Sequence, residues 1–212
     1  MKAKYFAVIW LAAFCSLLPL AGQTTNGGQP STIRRTDAPL AGFLAQQEYL
    51  LEELFGVEVA LFCYEDTEPG NAYASPAENP FDGLDGKVAI GKRLLKGIAM
   101  KLNTGKYVIM ALLAHEFSHI AQFKFSPDLT RRQCEQHADY FAGYYLGRRY
   151  PELSIPLRNS IAEWFFQMGD EAALKTHGSP NQRMKAFMHG FNDGDLSFED
   201  VWAKAEAWAS ER

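Results

Sequence analysis

The chain has little cysteine: three residues in 212, and one of them, Cys15, falls in the first segment. That excludes the dense disulfide framework that staples small secreted domains. At most Cys63 and Cys134 pair, and spacing alone does not bring their Cα atoms within bridging distance, so a bridge and two separate thiols both stay open. An excess of basic residues is also missing. With 21 Lys and Arg against 25 Asp and Glu, the formal charge is −4, which speaks against nucleic acid as a partner. No internal repeat or low-complexity tract interrupts the sequence, and 47% apolar with 22% charged residues is ordinary globular composition. Nor is there a long apolar run: Phe6 to Leu20 falls short of the roughly 20 residues a spanning helix needs, and Pro19 breaks it near its end.

That short run has a different meaning. Lys2 and Lys4 precede it, and small Ala21 and Gly22 and polar Gln23 follow, which is the layout of a secretory signal peptide over residues 1–22. A retained anchor is the competing reading. A lipoprotein reading around Cys15 is weakened by bulky Phe14 before it. Loss of residues 1–22 removes two lysines and no acid, leaving 19 basic against 25 acidic residues, or −6. The expectation is export to the periplasm or the extracellular space, with no membrane span after cleavage. Residues 23–37 lack apolar periodicity and read as a flexible leader, so the folded domain is expected over 38–212.

Within that domain the apolar pattern alternates between helical and extended spacing. Leu40, Phe43, Leu44, Leu50, Leu51, Leu54 and Phe55 predict a first helix stopped by Gly56. Val57 to Tyr64 and Lys87 to Gly91 read as short strands, with Asn71 to Pro76 between them in a polar loop region, and Arg93 to Asn103 reads as a helix. Lys87 to Gly91 is the candidate for an open sheet edge on which an extended peptide pairs its backbone; a structural hairpin is the alternative. Ile161 to Met168 reads as core, and Ser197 to Ala209 as a helix that packs Val201, Trp202, Ala205 and Trp208 on the domain. The fold class is therefore α+β, predominantly helical with a small sheet.

The stretch with chemistry is Ala111-Leu-Leu-Ala-His-Glu-Phe-Ser-His-Ile120. Residues four apart on a helix share a face, so His115 and His119 present two imidazoles to one metal ion while Glu116 stands beside them as a base. Zinc suits this set, because it keeps a position open for a water that it acidifies. The helix from Gly105 to about Phe123, with Thr104 as N-cap, is apolar nearly all round and must be buried, and buried ionisable groups need partners. A pair of hydrogen-bonded core histidines is the alternative, and it leaves a buried Glu116 unexplained. Asp128 or Thr130 caps the next helix, which carries Glu135 and Asp139 one turn apart. Packed antiparallel on the first, it offers one carboxylate to the metal and the other to a ring N–H of a ligating histidine. His137, two positions from Glu135, is expected at the surface.

His-Glu-x-x-His followed by Glu-x-x-x-Asp resembles the gluzincin metallopeptidases, and Glu135-Gln-His-Ala-Asp-Tyr-Phe-Ala-Gly143 resembles the version in bacterial neutral zinc metallopeptidases. Thr176-His-Gly-Ser-Pro-Asn-Gln-Arg183 is similar to a downstream segment of the same bacterial family. More distantly it is similar to the CAAX prenyl protease-like zinc peptidases, whose Asn-Ala-Phe-Ala-like strand Asn71 to Ser75 echoes. The resemblance implies a zincin-like domain with its sheet beside the His-Glu-x-x-His helix and one Zn2+ per chain on His115, His119 and Glu135. It further implies Asp139 as the carboxylate behind a ligand, His177 as the oxyanion donor and Arg183 as a brace. The expected activity is hydrolysis of peptide or protein substrates with Glu116 as general base; the alternative is a catalytically silent, zinc-bound scaffolding protein.

Overall fold

A computed structural model describes residues 38–67, 70–79, 81–101, 103–125, 128–168 and 179–211. The expected signal peptide, the leader and His177 lie outside them. The element order is α1 (Ala38–Phe55), β1 (Val59–Tyr64), β2 (Ala72–Pro76), β3 (Gly86–Gly91), α2 (Lys92–Ala99), α3 (Gly105–Phe125), α4 (Arg131–Arg149), α5 (Ile155–Met168), α6 (Pro180–Asn192) and α7 (Phe198–Ser210). This is the mostly helical α+β architecture expected, with a small mixed sheet. Among the described residues, no helix is long and apolar enough to cross a membrane.

Two helices form the centre. Every residue of α3 from Val108 to Ser118 is buried, and so is every residue of α4 from Glu135 to Gly147. A helix buried on all sides needs cover all round, and here β2 and α1 flank α3 while α6 and α7 close over α4. Local signals set the boundaries. Gly56 adopts φ 61, the left-handed conformation that ends α1 without a Cβ clash. Thr130 and Gln133 form a reciprocal capping box at the start of α4, and Ser179 and Gln182 do the same for α6.

The strand order is β1-β3-β2, which corrects the expected position of Lys87 to Gly91. That strand, β3, pairs in parallel with β1 (Val59 opposite Gly86) and antiparallel with β2 (Ala72 opposite Ile90), so neither of its edges is open. The physical reason is visible in its composition: Val88, Ala89 and Ile90 are all buried, as in a strand covered on both faces. Of the two outer strands, β1 is blocked, because Glu52 Oε1 accepts from Val59 N at 2.9 Å and Glu48 Oε1 from Leu61 N at 3.1 Å. The edge left beside α3 is β2, whose terminal Pro76 is typical of an outer strand.

The closest helix contact joins α4 to α6. A Cβ built on Gly143 would stand 1.9 Å from the Phe187 carbonyl oxygen, and one on Gly190 would stand 1.8 Å from that of Tyr140. Only glycine allows this approach, and it seats the helix bearing Arg183 directly on the helix bearing Asp139. Cys63 is a free thiol buried in β1, so the Cys63–Cys134 bridge does not form.

Candidate metal centre

Helix α3 presents His115 and His119 one turn apart, and α4 runs antiparallel beside it, so that His115 meets Asp139 and Glu135 while Gln122 meets Cys134. His115 Nε2 and His119 Nε2 face each other at 3.1 Å. Glu135 Oε2 lies 3.5 Å from the first, and Glu135 Oε1 lies 3.8 Å from the second. Ligands of a tetrahedral ion with bonds of about 2.0–2.1 Å stand roughly 3.3–3.4 Å apart. The observed separations bracket that spacing.

The donor chemistry fits a cation as well. Glu135 Oε2 is too far from its nearest nitrogen for a good hydrogen bond, and it has no other partner among the described residues. Glu116 Oε1 is likewise buried without one. Burial is nearly complete: His115 is 0%, Glu116 1% and Glu135 3% exposed. Anionic oxygens left so far from water are costly unless a positive charge joins them. The buried His115, His119 and Glu135 group can therefore hold a metal ion.

Behind the cluster, Asp139 Oδ1 is 3.0 Å from His115 Nδ1 and holds that ring by its N–H. Arg183 grips the same carboxylate from α6, with Nε 2.7 Å from Oδ2 and a terminal nitrogen 2.7 Å from Oδ1. The two-pronged pair keeps a buried anion neutralised while it orients the imidazole. Phe165 of α5 packs on His115 with ring centres 6.5 Å apart and stacks on Phe187 of α6.

The charges follow from these neighbours. Burial opposes a charged His115, but the Asp139 and Glu135 carboxylates overcome it and hold the metal-free imidazole up at about 9. Burial pushes Glu116 up to about 8, partly offset by His115. Burial drives His119 down to about 4. Glu135 has the opposite outcome: burial would raise it, yet His115 and His119 hold it well below the usual carboxylate range. Glu116 is also bonded by the backbone of Ala74 in β2, which places the carboxylate against the outer strand of the sheet.

The structure thus brings together six of the seven expected residues, His115, Glu116, His119, Glu135, Asp139 and Arg183; the seventh, His177, lies outside the described residues. His137 is corrected. It is wholly buried rather than at the surface, because α7 returns over α4 and Trp202 meets its ring at 4.6 Å, while Gln122 of α3 meets its Nδ1 at 3.0 Å. Gln122, 2.9 Å from His119 Nδ1, went unread although its position three residues after His119 puts it on the same helix face. A surface groove bounded by α1, α4 and α7 shares no residue with this cluster. No protein-family model, curated protein or solved structure matches the chain.

Proposed function

We propose that the protein is a zinc-dependent metallopeptidase of the gluzincin type. The observation that carries the reading is the convergence of His115, His119 and Glu135 beside a buried Glu116. Two imidazoles and one carboxylate are the ligand set of peptidase zinc, and this favours zinc among the ions the cluster would take. Zinc, when bound, supplies Lewis acidity toward the attacking water and the scissile carbonyl. The other steps belong to the chain. Glu116 takes the proton of the attacking water and returns it to the departing amine. Asp139, neutralised by Arg183, keeps the His115 ring from turning.

The position of β2 supports a peptide substrate. It is the outer strand beside α3, and its Ala74 backbone touches Glu116. An extended peptide that adds to β2 as a fourth strand lies alongside the catalytic carboxylate. The role assigned to Lys87 to Gly91 therefore passes to Ala72–Pro76. His177 stays in the proposal as the oxyanion donor, and export stays as the route implied by residues 1–22.

The test is peptide-library hydrolysis by the zinc-loaded full chain and its Glu116→Gln variant. The variant should bind zinc and lose roughly 10²–10⁴ in rate; equal rates would refute the assignment. A zinc-bound scaffolding protein is the second reading, favoured by the near-complete burial of His115, Glu116 and Glu135. Wild-type protein that holds zinc and cleaves nothing in the library would select it.

A further inference from the structure

Asp139 and Arg183 account for how His115 is held, but a second buried polar chain reaches the other histidine and its protons can be placed atom by atom. The Gln122 side chain meets three groups. Its Nε2 is 2.9 Å from the Cys134 carbonyl oxygen and 3.0 Å from His137 Nδ1, and its Oε1 is 2.9 Å from His119 Nδ1. A carbonyl oxygen only accepts, so the atom facing Cys134 is the amide nitrogen, and the amide has one orientation. Its second N–H then goes to His137 Nδ1, which accepts and leaves that ring's hydrogen on Nε2. The amide oxygen has no hydrogen to give. His119 Nδ1 must donate to it, and His119 Nε2 is left as a lone pair turned toward His115 and Glu135.

We propose that Gln122 and His137 are positioning residues for the second metal histidine. His137 Nδ1 and the Cys134 carbonyl hold the Gln122 amide, and Gln122 Oε1 locks His119 in the tautomer that offers Nε2 to a metal. The inference rests on the metal-binding part of the function proposed above. It explains why a histidine is buried in α4 on the side where Trp202, Phe141 and Ser118 surround it. A leucine would fill that space, but it offers no acceptor for the second N–H of the amide. His115 and His119 are then held alike, one by a carboxylate and one by an amide that keeps further negative charge away from the cluster.

The test uses the full chain, freed of metal, with zinc and cobalt(II) as probes of wild type, Gln122→Leu, His137→Leu and His137→Asn. Asparagine Oδ1 takes about the place of Nδ1 and accepts the same N–H; leucine does not. Both leucine variants should bind zinc roughly 10- to 100-fold more weakly, with an altered cobalt absorption band, and His137→Asn should recover to within about threefold of wild type. Residues that matter only for packing would lower the melting temperature and leave metal affinity and the cobalt band alone. Leucine variants that bind zinc like wild type with an unchanged band overturn the proposal, and so does a His137→Asn variant as weak as His137→Leu. If Gln122→Leu fails to fold, the two His137 variants decide. A wild type that binds neither metal overturns the metal reading and this inference with it, whereas unchanged leucine variants beside a zinc-binding wild type remove the relay alone.

Discussion

Zinc entering the metal-free protein at pH 7 should expel about two protons, a count set by four groups. His115, held up at about 9, and Glu116, raised to about 8, each carry close to one proton at that pH. His119, pushed down to about 4, and Glu135, held below the ordinary carboxylate range, carry none. A dication displaces the protons of the first two groups, so the charge of the buried cluster is unchanged by the exchange. At pH 9 the imidazole is about half protonated and Glu116 mostly ionised, and the count should fall to roughly half a proton. Calorimetric zinc titrations in two buffers of different ionisation enthalpy measure the number directly. The Glu116→Gln variant should release about one proton at pH 7. Release of none by wild type, or an equal count in that variant, would refute the electrostatic description. The sign for stability is opposite. His115 is raised above its ordinary 6.5 and Glu116 above 4.5. Their contribution to the metal-free fold is full below those values and is lost as pH climbs through about 8 and 9, while zinc affinity rises over the same window.

Arg183→Met should cost about 3–5 kcal/mol in urea unfolding of the metal-free protein, because it leaves the Asp139 carboxylate buried without its two-pronged partner. A loss below about 1 kcal/mol would contradict the buried-pair description. Gly143→Ala should destabilise by at least about 1–3 kcal/mol, since the group its Cβ would strike is backbone and no side chain can swing aside. The same variant should bind zinc more weakly in a chelator competition, because α6 carries Arg183; unchanged affinity would separate the helix contact from the site.

What could be read in the chain was local spacing. His115, Glu116 and His119 fall within five consecutive helical positions, and Glu135 and Asp139 are a single turn apart, so both sets follow from helix geometry without knowledge of the fold. Their meeting requires only that two apolar helices pack antiparallel. The errors concern what lies on the far side of an element. Strand order decided that β3 is central, and nothing within Lys87 to Gly91 encodes its neighbours, although Pro76 marks β2 as an outer strand. His137 reads as exposed until α7 is known to return over α4. The glycine contact had a signal that was missed: Gly143 and Gly147 share a four-residue spacing that lines them on one face of α4, and Gly190 lies near the end of α6 opposite Tyr140.

That contact also works as a length standard. Side-chain packing between helices tolerates small slips, because leucines and phenylalanines change rotamer and follow. Backbone set against backbone has no such slack, so Gly143 and Gly190 fix how far along α4 the start of α6 stands. One residue of slip is about 1.5 Å, enough to carry the Arg183 fork away from both Asp139 oxygens at 2.7 Å. The histidine–glutamate cluster is thus calibrated by residues that touch none of its atoms, and an error introduced two turns from Arg183 would be read out at His115.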